Sequence, residues 1–263
     1  MPSVACNWNP GTGVCNTHSG SRPISCGAVP SRKSTCYVSV RQKWQRIMSS
    51  ETLLTSARRP GRPARGTEGE ATQRILDAAM PIFLAEGFEA ASIDGIVAAA
   101  GISKKTFYVR FNSKADLFEA VFLRFIDECI PTIEREAGHV GSASDCLNRI
   151  AVASLKVALT PNVIAFQRII TAEAMRFPQF ALTMNDFGQS RLHSLIERCL
   201  EQAVEAGEIT VPDIRFAADC FLNLAIRPPV DRAVLGLERA ELTHVKRVAV
   251  KRAVEFFLGG CRS

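Results

Sequence analysis

Apolar positions recur with helical spacing from about residue 70 onward, and no stretch sustains the alternation of a strand. The first stripe is Ile75, Ala78, Ala79, Ile82 and Phe83, spaced i, i+3, i+4, i+7, i+8. It predicts a helix over about 70–86, closed by Gly87, with a kink where Pro81 removes a backbone donor. Ser92 caps a short second helix whose inner side is Ile93, Ile96 and Val97. The small residues Ala98, Ala99 and Ala100 leave room for a crossing helix, and Gly101 supplies a positive-φ turn. Ser103 then caps a third short helix, with Phe107 and Phe111 turned inward. Ser113 and Asp116 make a capping-box-like start for a longer helix through Leu117, Phe118, Val121, Phe122 and Phe125.

The pattern downstream stays helical, over about 144–159, 162–177, 179–206, 213–226 and 242–258. Pro161, Pro178, Gly207, Pro212 and the pair Pro228-Pro229 mark the expected breaks. The fold class is therefore all-α. A three-helix helix-turn-helix domain at 70–125 precedes a helical ligand-binding and dimerisation domain at 126–263. Residues 1–69 are expected to be a disordered extension ending in a basic arm.

Composition changes the picture mainly at the N-terminus. The six basic residues of 1–47, with no acid among them, account for the whole net charge of +6. The remainder is electrically balanced, so any DNA affinity must come from charge placement rather than bulk charge. The same segment holds both tryptophans and four of the nine cysteines. It reads either as an over-extended start, with Met48 the native initiator, or as a metal- or redox-sensing tail using those cysteines and His18. No cysteine pair has zinc-ribbon spacing, and the odd count argues against a disulfide framework. No apolar run reaches the ~20 residues of a membrane span, so a cytoplasmic protein without membrane contact is expected.

The candidate chemistry lies around the third helix. Lys104, Lys105 and Thr106 occupy its first turn, the part of a recognition helix that meets base edges. Lysine can donate to guanine, and the threonine methyl can meet a thymine methyl. Tyr108 offers a hydroxyl for a phosphate, and Arg110 is read as lying on the exposed side. Ser92 and Ser103 open helices whose free N–H groups attract anions, and Lys114 adds a cation at the next helix start. Upstream, Arg59 and Arg62 belong to the run Arg58-Arg59-Pro60-Gly61-Arg62-Pro63, which suits a narrow minor groove. Any one of these cations alone would read as a solvated surface charge; together they point to double-stranded DNA.

Residues 70–122 resemble the DNA-binding domain of the TetR family of bacterial repressors. The resemblance rests on Arg74-Ile75-Leu76-Asp77-Ala78-Ala79, Glu86-Gly87-Phe88, Ala99-Ala100-Gly101-Ile102-Ser103, Thr106-Phe107-Tyr108, Phe111 and Ser113-Lys114. It is ungapped, and Pro81 is a mild departure. It implies that Tyr108, Lys114 and the first recognition-helix turn contact DNA. A weaker resemblance to an AefR- or AcrR-like C-terminal domain covers Ile169-Ile170-Thr171-Ala172-Glu173-Ala174-Met175-Arg176-Phe177-Pro178. The family resemblance also implies a homodimer closed by the last two helices, through Ala218, Phe221, Leu222, Ala225, Val245, Ala249, Ala253 and Phe256. The bland alternative is that both stripes only complete the monomer core.

A Phe- and Met-rich cluster of Phe166, Ile170, Met175, Phe177, Phe180, Met184 and Phe187 is the expected pocket for a small apolar effector. Ordinary core is the competing reading. Glu173 falls among these residues as either a ligand contact or a structural ion pair with Arg168 or Arg176. The four histidines are scattered, and no Gly-x-Ser-x-Gly, metal triad or phosphate loop appears. No catalytic residue, cofactor or metal is expected. The chain reads as a repressor on a pseudo-palindromic operator, released by the effector; the alternative is an activator or a ligand-independent DNA-binding protein of the same fold.

Overall fold

The computed structural model describes residues 7–9, 14–16, 67–138 and 141–261. The chain divides into two units, 1–46 and 47–263. In the first unit, β1 (Asn7–Asn9) pairs antiparallel with β2 (Val14–Asn16), with Trp8 opposite Cys15. This small hairpin is regular structure where the pattern predicts none. The second unit is all helical among the described residues.

Helix α1 (Thr67–Ala90) starts three residues earlier than expected, and its backbone leaves helical geometry at Gly87 (φ 82°, ψ 175°). Pro81 sits inside it without a comparable departure, so the break falls at the glycine and not at the proline. Ile75, Leu76, Ala79 and Phe83 are fully buried along one stripe. Helices α2 (Ile93–Ala99) and α3 (Lys104–Tyr108) follow, joined by Gly101 at φ 63°. Ala100 is buried, whereas Ala98 and Ala99 face solvent rather than a crossing helix.

The spine is α4 (Lys114–Ala137). Its first half, through Leu117, Phe118 and Val121, packs on α1, and Arg124 ties to Asp77 of α1 at 2.7 Å. Its second half, through Ile126, Ile130 and Ile133, packs on α5 (Ala143–Ala158). Helix α6 (Pro161–Glu173) begins with a proline in its first turn, where the missing donor costs nothing.

Two π-helical turns replace the long uninterrupted helices that periodicity predicts. Met184–Gln189 lies between α7 (Pro178–Thr183) and α8 (Ser190–Glu205). Leu222–Ile226 lies between α9 (Ile214–Phe221) and α10 (Arg227–Val234). Pro228 and Pro229 therefore begin a helix instead of ending one, because the first turn needs no donors from them. Helix α11 (His244–Gly260) closes the chain against α5 and α9, with Phe257 edge-on to Phe221.

No single helix among the described residues is long and apolar enough to cross a membrane.

Candidate functional site

The reading head is built by three serine caps. Ser92 accepts from the Gly95 amide at 3.0 Å, Ser103 from the Thr106 amide at 3.1 Å, and Ser113 from the Asp116 amide at 3.0 Å. Each satisfies an orphan donor and fixes where its helix begins. Beneath α3, Phe107 and Phe111 are buried and touch at 5.7 Å. That anchoring leaves the opposite side of α3 outward.

On the outward side stand Lys104, Lys105 and Tyr108, the last 53% exposed with its ring edge-on to Phe107. Lys105 carries no ion pair among the described residues. Lys104 is paired with Asp94 of α2 at 2.6 Å, and this hydrogen-bonded carboxylate raises its pKa further. Thr106 is half-buried, its hydroxyl 2.9 Å from that of Ser103.

Two expected DNA contacts are committed to the protein itself. Arg110 is half-buried, not exposed: its Nε donates to Thr72 of α1 at 3.0 Å and its Nη1 to the Thr106 carbonyl at 3.4 Å. Lys114 donates to the carbonyls of Glu89 and Ala91 at 2.9 and 2.7 Å, and its ammonium lies 4.7 Å from the centre of the Phe88 ring. Each ties its helix to α1 or to the segment that follows it. Arg59 and Arg62 lie outside the described residues.

The second candidate feature is a cavity of about 160 Å³ between α4, α5, α6, the two π-helical turns, α8 and α10. Its wall is mainly apolar, with Phe122, Phe125, Ile126, Ile130, Leu222 and Val230, and its polar members are Ser154, Gln167, Gln189 and Arg227. Among the predicted pocket residues, Met184 alone lines it. The other expectations need correction. Phe166, Ile170 and Phe180 are closed core. Phe177 and Phe180 turn toward α1, where they meet Phe88 at 4.9 and 5.2 Å. Met175 is 93% exposed, in the turn after α6. Glu173 lies away from the cavity, its buried Oε2 without a hydrogen bond and 3.6 Å from Arg176. Phe187 is half-buried in the first π-helical turn but does not line the cavity. The cause is tertiary: helical counting marks these residues as apolar but not which neighbour each one meets, and the rings of Phe88 and Phe118 take up Phe166, Phe177 and Phe180. Both π-helical turns supply cavity wall.

The predicted interface set divides. Ala218, Phe221, Leu222 and Ala225 face inward and are buried, so they complete the monomer. Val245 (75% exposed), Ala249 and Phe256 (77% exposed) face outward on α11, with Ala253 half-buried between them. Also exposed are Phe216 on α9, at 66%, and Leu224 in the second π-helical turn, which periodicity did not single out.

A family model described as bacterial regulatory proteins, tetR family, matches residues 75–121. One described as AefR-like transcriptional repressor, C-terminal domain, matches 145–260. The flavonoid-responsive regulator FrrA is 31% identical, covering 74% of this chain and 98% of its own, with a TM-score of 0.59. The chain belongs to the TetR family. The HTH-type transcriptional regulator UidR of Escherichia coli strain K12 is 29% identical over 162 residues, 60% of this chain and 79% of UidR. A TetR-family regulator from Mesorhizobium loti shares the fold at a TM-score of 0.65 and 22% identity, over 75% of this chain and 98% of its own. As a TetR-family member the protein is a helix-turn-helix transcriptional regulator and not an enzyme.

Lys114→Met tests the structural role of that lysine. Losing two charged hydrogen bonds should lower unfolding stability by about 1–3 kcal/mol in urea denaturation. An unchanged midpoint would return Lys114 to the list of purely DNA-directed cations.

Proposed function

We propose that this TetR-family regulator is a repressor. It binds a pseudo-palindromic operator as a homodimer in the cytoplasm and is released when a small, mainly apolar molecule occupies the cavity. The observation that carries the reading is the outward face of α3. Lys105 and Tyr108 project outward from a five-residue helix whose start and underside are fixed by the Ser103 cap and by Phe107. A surface so anchored holds its donors at constant geometry, which groove recognition needs.

Lys105 and Thr106 are assigned to base edges, and Tyr108 and the α2 start at Ser92 to phosphates. Lys104 reaches DNA by exchanging Asp94 for a phosphate. The arm carrying Arg59 and Arg62 tracks the minor groove. The dimer forms through the outward faces of α9 and α11, because Phe216, Val245 and Phe256 leave too much apolar surface for a monomer in water. Effector control is supported by the cavity and by the naming of FrrA, 31% identical, as flavonoid-responsive. The effector must favour the state that does not fit DNA, since equal affinity for both states shifts nothing.

Anisotropy titrations on duplexes recovered from genomic fragments test the interface. Lys105→Ala should weaken operator binding and relax the preference at the base pair it reads by about 1–3 kcal/mol, with thermal stability unchanged. Unchanged affinity and an unchanged preference among operator variants would remove Lys105 from the interface. In a deletion strain, transcription from the recovered promoter should rise, whereas a fall would make the protein an activator. Phe256→Glu should give a monomer in light scattering at micromolar concentration; a persistent dimer would place the interface elsewhere.

A further inference from the structure

Arg227, at the start of α10, is the single charged side chain among the described residues that line the cavity, and no carboxylate lines it. Cys129 adds no anion, because burial, with Glu128 nearby, pushes its thiol up to about 11. The carboxylate nearest Arg227 is Asp231, one turn along, at 3.8 Å and so outside hydrogen-bonding distance. The guanidinium, half-exposed, therefore keeps a planar set of donors at the edge of a mainly apolar space. Gln167 lines the same space from α6, which packs on α10, and Gln189 lines it from the first π-helical turn. Neither amide makes a side-chain hydrogen bond to another described residue.

Size narrows the occupant. The cavity measures about 160 Å³, and an apolar cavity of about 150 Å³ accepts one benzene ring. Phe122 and Phe125 offer ring faces and edges, while Ile126, Leu222 and Val230 complete a dry wall. A cationic ligand would meet Arg227 with like charge. A hydrocarbon would displace water from the guanidinium without replacing its hydrogen bonds, and a neutral carbonyl would replace them only with weaker, uncharged ones.

We infer that the cavity takes a monocyclic aromatic carboxylate. Its ring lies against Phe122 and Phe125, and its carboxylate pairs with Arg227. The inference rests on the reading of this cavity as the effector site. A carboxylate matches the guanidinium fork with two parallel hydrogen bonds, a geometry that lysine cannot reproduce.

The test is calorimetry on the full chain with 4-ethylbenzoate and its neutral isostere 4-ethylbenzamide. The carboxylate should bind at least about tenfold more tightly than the amide, the margin of one charge-assisted hydrogen bond. Arg227→Gln should bring that ratio near one and leave the amide's affinity unchanged. Arg227→Lys should restore part of the ratio. Gly188 borders the cavity, and a Cβ there would lie 3.9 Å from Ile126 Cδ1, so Gly188→Leu should fill the space and abolish both bindings. Circular dichroism confirms that each variant is folded, and Val157→Phe, also on the lining, is the substitute if Gly188→Leu is not. Equal binding of the two probes, abolished by filling, would overturn the carboxylate assignment and leave the effector site standing. Binding of neither probe, or binding indifferent to filling, would overturn both.

Discussion

Gly87 decides how the two parts of the helical unit meet. Its φ of 82° lies in a region that side-chain-bearing residues rarely adopt. A Cβ there would meet nothing within 4 Å, so the requirement for glycine is conformational and not one of space. The turn it makes delivers Phe88 into contact with Phe83, Phe118, Phe177 and Phe180. It also presents the carbonyls of Glu89 and Ala91 to Lys114, and the Glu89 carboxylate to Arg176 at 2.6 Å. Helices from the reading head and from the bundle thus close on one aromatic ring. The exposed Arg176 pair contributes little energy by itself, and the rings carry the seam.

That seam does not stop at the boundary. Phe118 touches Phe180 at 4.6 Å and Phe166 at 5.9 Å, and Phe166 touches Phe122 and Phe125 at 5.3 and 5.0 Å. The last two rings are cavity wall. An unbroken line of packed rings therefore runs from the proposed effector site to the end of α1. Close-packed interiors resist small deformation and rearrange in discrete steps, so an occupant pressing on Phe122 or Phe125 has a physical route to the helices that position α3.

Much of this was legible in the sequence because the signals are local. Ser92, Ser103, Ser113 and Gly101 announce caps and a turn through chemistry that acts over three or four residues, and the structure shows each doing so. The all-α class followed from periodicity for the same reason. What periodicity could not reach were side-chain destinations fixed by other helices. Lys114 and Arg110 looked like free cations, yet distant backbone and Thr72 claim them. The Phe and Met cluster looked like a pocket, yet Phe88 and Phe118 draw Phe177 and Phe180 into the seam, while Leu222 of the second π-helical turn joins the cavity. The inward and outward faces of α9 were likewise exchanged: Phe221 is core and Phe216 is surface.

The coupling between cavity and reading head is the centre of the account. It is measured most directly as the ratio of operator affinities with and without a saturating cavity ligand, in the native protein and in Phe166→Leu. The native ratio should lie in the range of about 5–150 typical of coupled sites. Phe166→Leu should bring it close to one while each ligand alone still binds with near-native affinity. A Phe166→Leu protein that keeps the full ratio would show that the signal does not pass through the rings, and would contradict the account.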